Sequence, residues 1–400
     1  MKSTDKIKRD VLLEIDKIEK RMIELSDLIH DNPEISYEEY KASNWLIEEL
    51  EKHGFDIERE IAGLKTAFKA DFQIGSKKPV ICFMVEYDAL PGIGHACGHN
   101  FSGVTSIAAS IAVKNVMEKY NIDGVVIALG TPGEELYSGK VPILEAEHFK
   151  GVDAAMMVHA FDKNVVHAPF LALDGLDFIF KGKPAHAAGA PHEGINALNA
   201  ALITFRGIDA LRQHVRDDVR IHGIVTEGGE APNIVPEKAS IRFYVRAVDR
   251  WYLNEVTEKV RNCALGAALM TGAELEISSF EPPVDNLISN PTLSEIFEKN
   301  WKDMFGDIKK TIEKPLGSTD VGNVSHVVPT IHPMISIAPE GTTLHTKEFA
   351  EAAGSEKAHE VLVKASKTLA ATAIDILTSP ELVDKIRKDF RKIKEIHSVK

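Results

Sequence analysis

Two stretches at the start of the chain, residues 5–29 and 37–54, repeat apolar residues at the three- and four-residue spacing of one helix face. HDNPEISYEE separates them. Pro33 is the expected stop signal, because the residue before a proline is pushed out of helical backbone. From about residue 66 the pattern changes to short continuous apolar runs: 66–73, VICFMV at 80–85, GVVIALG at 124–130 and VDAAMMV at 152–158. Helical patterns fall between them, from Phe101 to Lys119 and near 138–148. Strands alternating with helices predict a mostly parallel sheet, and unbroken apolar runs predict strands covered on both faces.

A second pattern begins near residue 173. GLDFIFKG reads as a strand, EGINALNAALITFRGIDALRQH as a helix, and RIHGIVTEGG and ASIRFYVRA as two strands. WYLNEVTEKVRNCALGAALMTG is a second helix and AELEISSF a last strand. The order β-α-β-β-α-β is that of the ferredoxin-like unit. It closes at EPPVDN, after which a strand at 334–339 and a helix at 354–377 resume the earlier pattern. The expected fold is therefore α/β, a mostly parallel sheet sandwiched by helices. Its two pieces, 1–172 and 286–400, are separated by an inserted ferredoxin-like α+β domain at 173–285. From Pro380 onward the sequence reads as a solvated helix.

Composition narrows the function classes. The chain has 400 residues, 44% of them hydrophobic, enough for more than one core. Forty-seven basic against 60 acidic residues give a net charge of −13. That argues against nucleic acid, which requires a basic surface, and against adsorption to an anionic membrane. No apolar run reaches the roughly 18 residues of a membrane span. The opening MKSTDKIKRDVLLEIDKIEKRM has no apolar core of a secretory signal. Three cysteines, Cys82, Cys97 and Cys263, fit free thiols and a cytoplasmic location.

Candidate chemistry falls at the strand ends. His95, Cys97 and His99 follow VICFMV, Glu134 and Glu135 follow GVVIALG, His159 follows VDAAMMV, and His345 follows MISIAP. Thiolate, imidazole and carboxylate together are the donor set of zinc-like ions. Singly, each has a plainer explanation: a buried thiol in a tight loop, two acids opening a helix, a satisfied structural histidine. Their coincidence at four strand ends favours a metal centre, because ligands in open α/β sheets gather beyond the carboxyl ends of the strands. Asp88, in EYDALPG, stands where it could orient a ligating histidine from behind; a turn aspartate is the alternative.

EYDALPGIGHACGHN, GTPGEE, VHA, GKPAHAAGAPHEGINAL, APNIVPE, GSTDVGNVS and TLHT, in this order, resemble the aminoacylase/carboxypeptidase G family of metallopeptidases. More narrowly they resemble its amidohydrolase branch, which includes aminobenzoyl-glutamate hydrolase and dipeptidases for β-alanyl-lysine-type and Xaa-Arg substrates. The resemblance spans nearly the whole chain. It implies a two-metal centre, most often zinc or manganese, held by Cys97, His99, Glu135, His159 and His345, with Glu134 as general base. His95 is left behind the ligands. The resemblance makes the insertion a dimerisation lid, so a homodimer acting on a small molecule or short peptide is expected. His186 of PAHAAG would reach the other subunit's reaction centre and steady the oxyanion, and Asn233 of APNIVPE would touch substrate. Arg246 could fork a substrate carboxylate, though an exposed strand-end arginine explains it equally. Ser318 and Asp320 of GSTDVGN could line the pocket, and a helix cap explains much of that motif. Asn100 stands where many branch members have aspartate, which tilts the substrate towards the dipeptidase group. Three other readings stand beside the amidohydrolase: a metallocarboxypeptidase for longer peptides, a metal-binding homologue without catalysis, and a thiol hydrolase built on Cys97.

Overall fold

The computed structural model describes residues 4–398, so residues 1–3 and 399–400 of the two terminal helices read from the sequence lie outside it. The chain opens with α1 (Thr4–His30) and α2 (Tyr40–Lys52), then β1 (Asp56–Arg59), β2 (Phe68–Ile74) and β3 (Val80–Val85). Next come α3 (His99–Tyr120), β4 (Gly124–Gly130), α4 (Glu134–Tyr137), α5 (Lys140–Glu145), β5 (Ala154–Met156), β6 (His159–Phe161) and β7 (Val165–His167). The insertion holds β8 (Ala172–Lys181), α6 (Ala197–Leu211), β9 (Arg220–Glu227), β10 (Lys238–Ala247), α7 (Arg250–Thr271) and β11 (Glu274–Ser279). The rest is α8 (Pro291–Phe305), β12 (Lys309–Thr311), α9 (Val321–Val327), β13 (Thr330–Ile331), β14 (Met334–Ser336), α10 (Lys347–Ala353), α11 (Glu356–Leu377) and α12 (Pro380–Ser398).

The main sheet runs β1-β2-β4-β3-β5-β13. β4, β3, β5 and β13 are parallel neighbours, and β2 and β1 extend the sheet antiparallel. A small second sheet, β12-β7-β14-β6, stands beside it. Its strands have three residues each, and of them only β14 falls in a run read as a strand from the sequence. Helix α3 packs between the sheet and α1 and α11. Nearly all of it from His99 to Met117 is buried, which explains why its sequence is apolar or small all round.

The helix expected near 138–148 is instead two short helices broken at Ser138, which takes a left-handed φ of 51°. The solvated terminal helix is corrected as well: Val383 and Ile386 of α12 are buried and dock on α8. Residues Phe170–Asn286 form a compact unit of their own. Its sheet, β11-β8-β10-β9, is antiparallel throughout, and α6 and α7 cover one face to enclose a separate core.

One glycine ties this packing to the loops beyond the strands. A Cβ on Gly103 of α3 would meet the carbonyl oxygen of Glu86 at 2.2 Å. Gly103→Ala must therefore lift the start of α3 off the exit of β3. The expected loss is about 1–3 kcal/mol in urea unfolding. Gly266→Ala, on an exposed stretch of α7 with nothing within 4 Å of the new methyl, is expected to have the opposite sign, a gain of up to about 1 kcal/mol.

Candidate metal centre

Three parallel neighbours, β4, β3 and β5, end at one edge of the main sheet. β3 runs out into Glu86 and Asp88, β4 into Glu134 and Glu135, and β5 into His159. His345 arrives on the loop before α10. Its N–H bonds the carbonyl of Ala96 at 2.9 Å, which fixes it to the loop carrying Cys97 and His99. Its φ of 63° is uncommon for a histidine, and strain of this kind collects at functional sites.

The donors converge. Cys97 Sγ lies 3.5 Å from His159 Nε2. Ligand atoms of Cys97, His99 and His159 lie within 4.8 Å of one another, as do those of Cys97, Glu135 and His345, and those of His99, Glu134 and Glu135. Both buried histidines are aimed from behind. His99 Nδ1 is 2.8 Å from Asp88 Oδ1, and His159 Nδ1 is 2.7 Å from the carbonyl of Ala160, so each ring presents Nε2 to the cluster. His345 Nε2 is 3.4 Å from Glu135 Oε2.

Charge in the cluster is unbalanced. Burial pushes Glu134 well above the usual carboxylate range, and Glu135, Asp320 and Glu86 push the same way. Burial and the nearby Glu135 also hold the Cys97 thiol protonated, the reverse of what a thiol nucleophile requires. Burial, with His99 beside it, depresses His159 to about 4. Burial also opposes a charge on His99, but Asp88, Cys97 and Glu86 outweigh it and raise that ring. His99 Nε2 and Glu135 Oε1 are buried without a hydrogen-bond partner among the described residues. Buried polar atoms are rarely left so. A divalent cation would satisfy both, ionise Cys97 and relieve the carboxylates, so the residues fit a metal centre of the zinc or manganese kind.

Residues 173–268 match the peptidase dimerisation domain family. The mouse (Mus musculus) Xaa-Arg dipeptidase is 36% identical, the alignment covering 96% of this chain and 92% of that protein. The chain belongs to the M20 peptidase family. A p-aminobenzoyl-glutamate hydrolase chain of Escherichia coli is 29% identical over 96% of this chain and 94% of its own length. A solved dinuclear metal-binding M20 peptidase from Bacillus subtilis has the same fold, with a TM-score of 0.68 at 22% identity over 90% of this chain and 99% of that one. The protein is thus a hydrolase of amide bonds with a metal-binding site.

In this M20 peptidase, much of what holds the site together carried no readable sequence signal. Lys140 has no exposed surface; its ammonium donates to Asp320 Oδ1 at 2.7 Å and to Glu86. Burial opposes that charge, but Asp320 and Glu86 outweigh it and raise the lysine. Oxygens of Glu86, Glu134 and Asp320 lie within 4.8 Å of one another, a fourth acidic group whose cation is already built in. The Glu134–Glu135 loop is also clamped through its backbone. Gly133 N–H donates to buried Glu39 at 2.9 Å, Glu135 N–H to Asp88 at 3.0 Å, and Lys140 N–H to Asp320 at 2.9 Å. Gly133 is left-handed, and a Cβ there would strike the Tyr37 ring at 2.6 Å. Only glycine suits that position.

Other expected site residues lie elsewhere. Asp320 is corrected: it is 1% exposed and both its oxygens accept from Lys140, so it braces the loop and does not meet substrate. Ser318 is half-buried in the loop before α9 and is not its cap, since that helix starts at Val321. His95 is buried against His30, with ring centroids 6.3 Å apart, and stands outside the donor groups found among the described residues. Asn100 points away from the cluster, donating to Ser26 Oγ at 3.1 Å and to the carbonyl of Ala353 at 3.0 Å. An ionised aspartate could not donate to these two acceptors. His186, Asn233 and Arg246 lie in the insertion. There, His186 bridges to Ile234, and Ala187 N–H bonds the carbonyl of Asn233 at 3.0 Å.

Lys140→Met leaves Glu86 and Asp320 buried without their cation, and an expected loss of about 3–5 kcal/mol follows in urea unfolding. Asp88→Asn removes the carboxylate behind His99. Titration with a competing chelator should show ion affinity weakened about 10–100-fold.

Proposed function

We propose that the protein is a dipeptidase that releases a basic C-terminal residue, using two divalent ions, zinc or manganese, and Glu134 as general base. The convergence of Cys97, His99, Glu135, His159 and His345 carries this reading. They fall into two donor triads that share Cys97, one completed by His99 and His159, the other by Glu135 and His345. The substrate class draws on the 36% identical relative, an Xaa-Arg dipeptidase.

Bound there, the ions would polarise the scissile carbonyl and acidify the attacking water. Glu134, raised by burial and by its acidic neighbours, takes the water's proton and delivers it to the departing nitrogen. The backbone clamps on Gly133, Glu135 and Lys140 hold that carboxylate in place while the proton moves. His186 Nδ1 accepts from the N–H groups of Ala188 and Gly189, at 3.2 and 3.0 Å, so the neutral ring carries its proton on Nε2. That N–H is the donor an oxyanion needs, worth on the order of 10²–10³ in rate. Asn233 and Arg246 hold the substrate's backbone and carboxylate, and Ser318 lines the pocket.

The insertion, 173–285 on the sequence reading, is the dimerisation lid. β9 is an edge strand of its sheet with Ile224 and Val225 exposed, and the pairing of two such edges about a twofold axis would cover them. Among the described residues no helix is long and apolar enough to cross a membrane. The three free cysteines fit a cytoplasmic enzyme.

Elemental analysis and an amine-release assay on dipeptides and N-acyl amino acids test this together. About two ions per chain are expected, with EDTA abolishing turnover. Glu134→Gln should keep its metal and lose about 10²–10⁴-fold in kcat. Retained turnover in that variant, or no metal uptake from zinc or manganese, overturns the reading.

A further inference from the structure

The insertion's sheet has one face that its helices leave uncovered, and that face carries an acid with one oxygen unmet. Along β10, Ile241, Phe243, Val245 and Ala247 are buried in the insertion's core. By alternation Arg242, Tyr244 and Arg246 stand on the opposite face. Arg242 is already engaged. It forks Asp177 with two contacts of 2.7 Å, and its guanidinium lies 4.1 Å from the Phe280 ring centroid. This holds Phe280, and Glu281 after it, down on the sheet. Gly175 makes the room, because a Cβ there would come within 2.8 Å of the Phe280 ring and 3.0 Å of Glu281 Cγ. Gly175 is paired directly opposite Tyr244.

Tyr244 thus lies between two opposite charges. The Arg246 guanidinium is 5.4 Å from its ring centroid, and its hydroxyl donates to Glu281 Oε2 at 3.3 Å. Glu281 Oε1 is buried and has no hydrogen-bond partner among the described residues. A carboxylate placed with one oxygen unmet is a ready acceptor for a charged donor. In a dipeptide whose C-terminal carboxylate sits on Arg246, the α-nitrogen of that residue is the scissile amide and carries no charge. The dipeptide's other cation, its N-terminal ammonium, belongs to the residue on the far side of the scissile bond, so the cation that shares a residue with the carboxylate on Arg246 is the side chain's.

We propose that Glu281 is the specificity-determining residue of this enzyme. It accepts the ammonium or guanidinium of the substrate residue whose carboxylate Arg246 holds. The proposal rests on the dipeptidase reading and adds to it the residue that selects the basic side chain.

The test compares kcat/KM for an Xaa-Arg dipeptide and its neutral isostere, Xaa-citrulline, in the metal-loaded wild type and in Glu281→Gln. The variant keeps the shape of the side chain and an acceptor for Tyr244. The wild type should favour arginine, and Glu281→Gln should shrink that preference about 10–100-fold. The change should fall in KM for the arginine substrate, with citrulline turnover little altered. Glu281→Lys should move preference towards an acidic C-terminal residue. A second readout does not need turnover: free L-arginine should raise the wild-type melting temperature more than L-citrulline does, and Glu281→Gln should erase the difference. If the wild type shows no preference for arginine in either readout, the substrate class falls and the proposal with it. If the preference is present and survives Glu281→Gln, or the variant loses activity on both substrates equally, the proposal alone falls.

Discussion

Everything at the strand ends depends on how this protein tolerates five carboxylates in one cluster, three of them on buried residues and two on half-buried ones. Glu86, Asp88, Glu134, Glu135 and Asp320 gather within reach of one another. Like charges at such separations cannot all remain ionised in a medium of low dielectric without cations. The fold supplies the cations in two ways. Lys140 is covalently built in and serves Glu86 and Asp320; opposed by burial but outweighed by Lys140 and His99, Glu86 is held down to about 2. The remaining acids face imidazoles and a thiol; a raised His99 supplies some positive charge, and a metal ion joining these donors would supply the rest. The structural cation and the catalytic ones therefore divide one acidic cluster between them. Glu134 stands on the border, within reach of Glu86 and Asp320 on one side and of His99 and Glu135 on the other.

Preorganisation follows from two of the same carboxylates, Asp88 and Asp320, together with Glu39. Three of the acids around the Gly133–Lys140 loop spend an oxygen on a backbone N–H of that loop. Charge-assisted bonds of this kind are short and directional. They fix the two glutamates from a scaffold of buried side chains and not from the loop's own conformation, which contains a four-residue helix and a left-handed serine. Asp88 does this while also orienting His99, so one side chain fixes both that ring and the backbone of Glu135.

How legible this was in the sequence depended on the range of the interaction. β4 and β3 are long, apolar and bounded by loops, and GVVIALG and VICFMV announced them with their observed limits. β6, β7, β12 and β13 are two or three residues long, and only their neighbours in space define them. The candidate metal donors, which the structure brings together, stood out in the sequence because each follows a strand and has an unusual side chain there. Glu39 and Lys140 were not: an acid before one helix and a lysine at the start of another look like ordinary surface residues. Their meaning arises from partners 94 and 180 positions away. The packing role of Asn100 was hidden for the same reason, since its partners Ser26 and Ala353 are 74 and 253 positions distant.

The two units thus solve different electrostatic problems. The larger one concentrates negative charge until only cations can stabilise it, a requirement indifferent to the substrate's side chain. The insertion spreads its charge over an open sheet face, where Arg242 and Asp177 neutralise each other and serve as framework. Arg246 lies by the Tyr244 ring and Glu281 at its hydroxyl, two opposite charges on one surface. A metal site of this kind can be shared across a family with many substrates, because its donors are dictated by the ion. An open sheet face has no such obligation, and a glycine such as Gly175 is enough to admit a new side chain onto it. Selectivity can therefore change in the insertion without disturbing the buried balance on which hydrolysis depends.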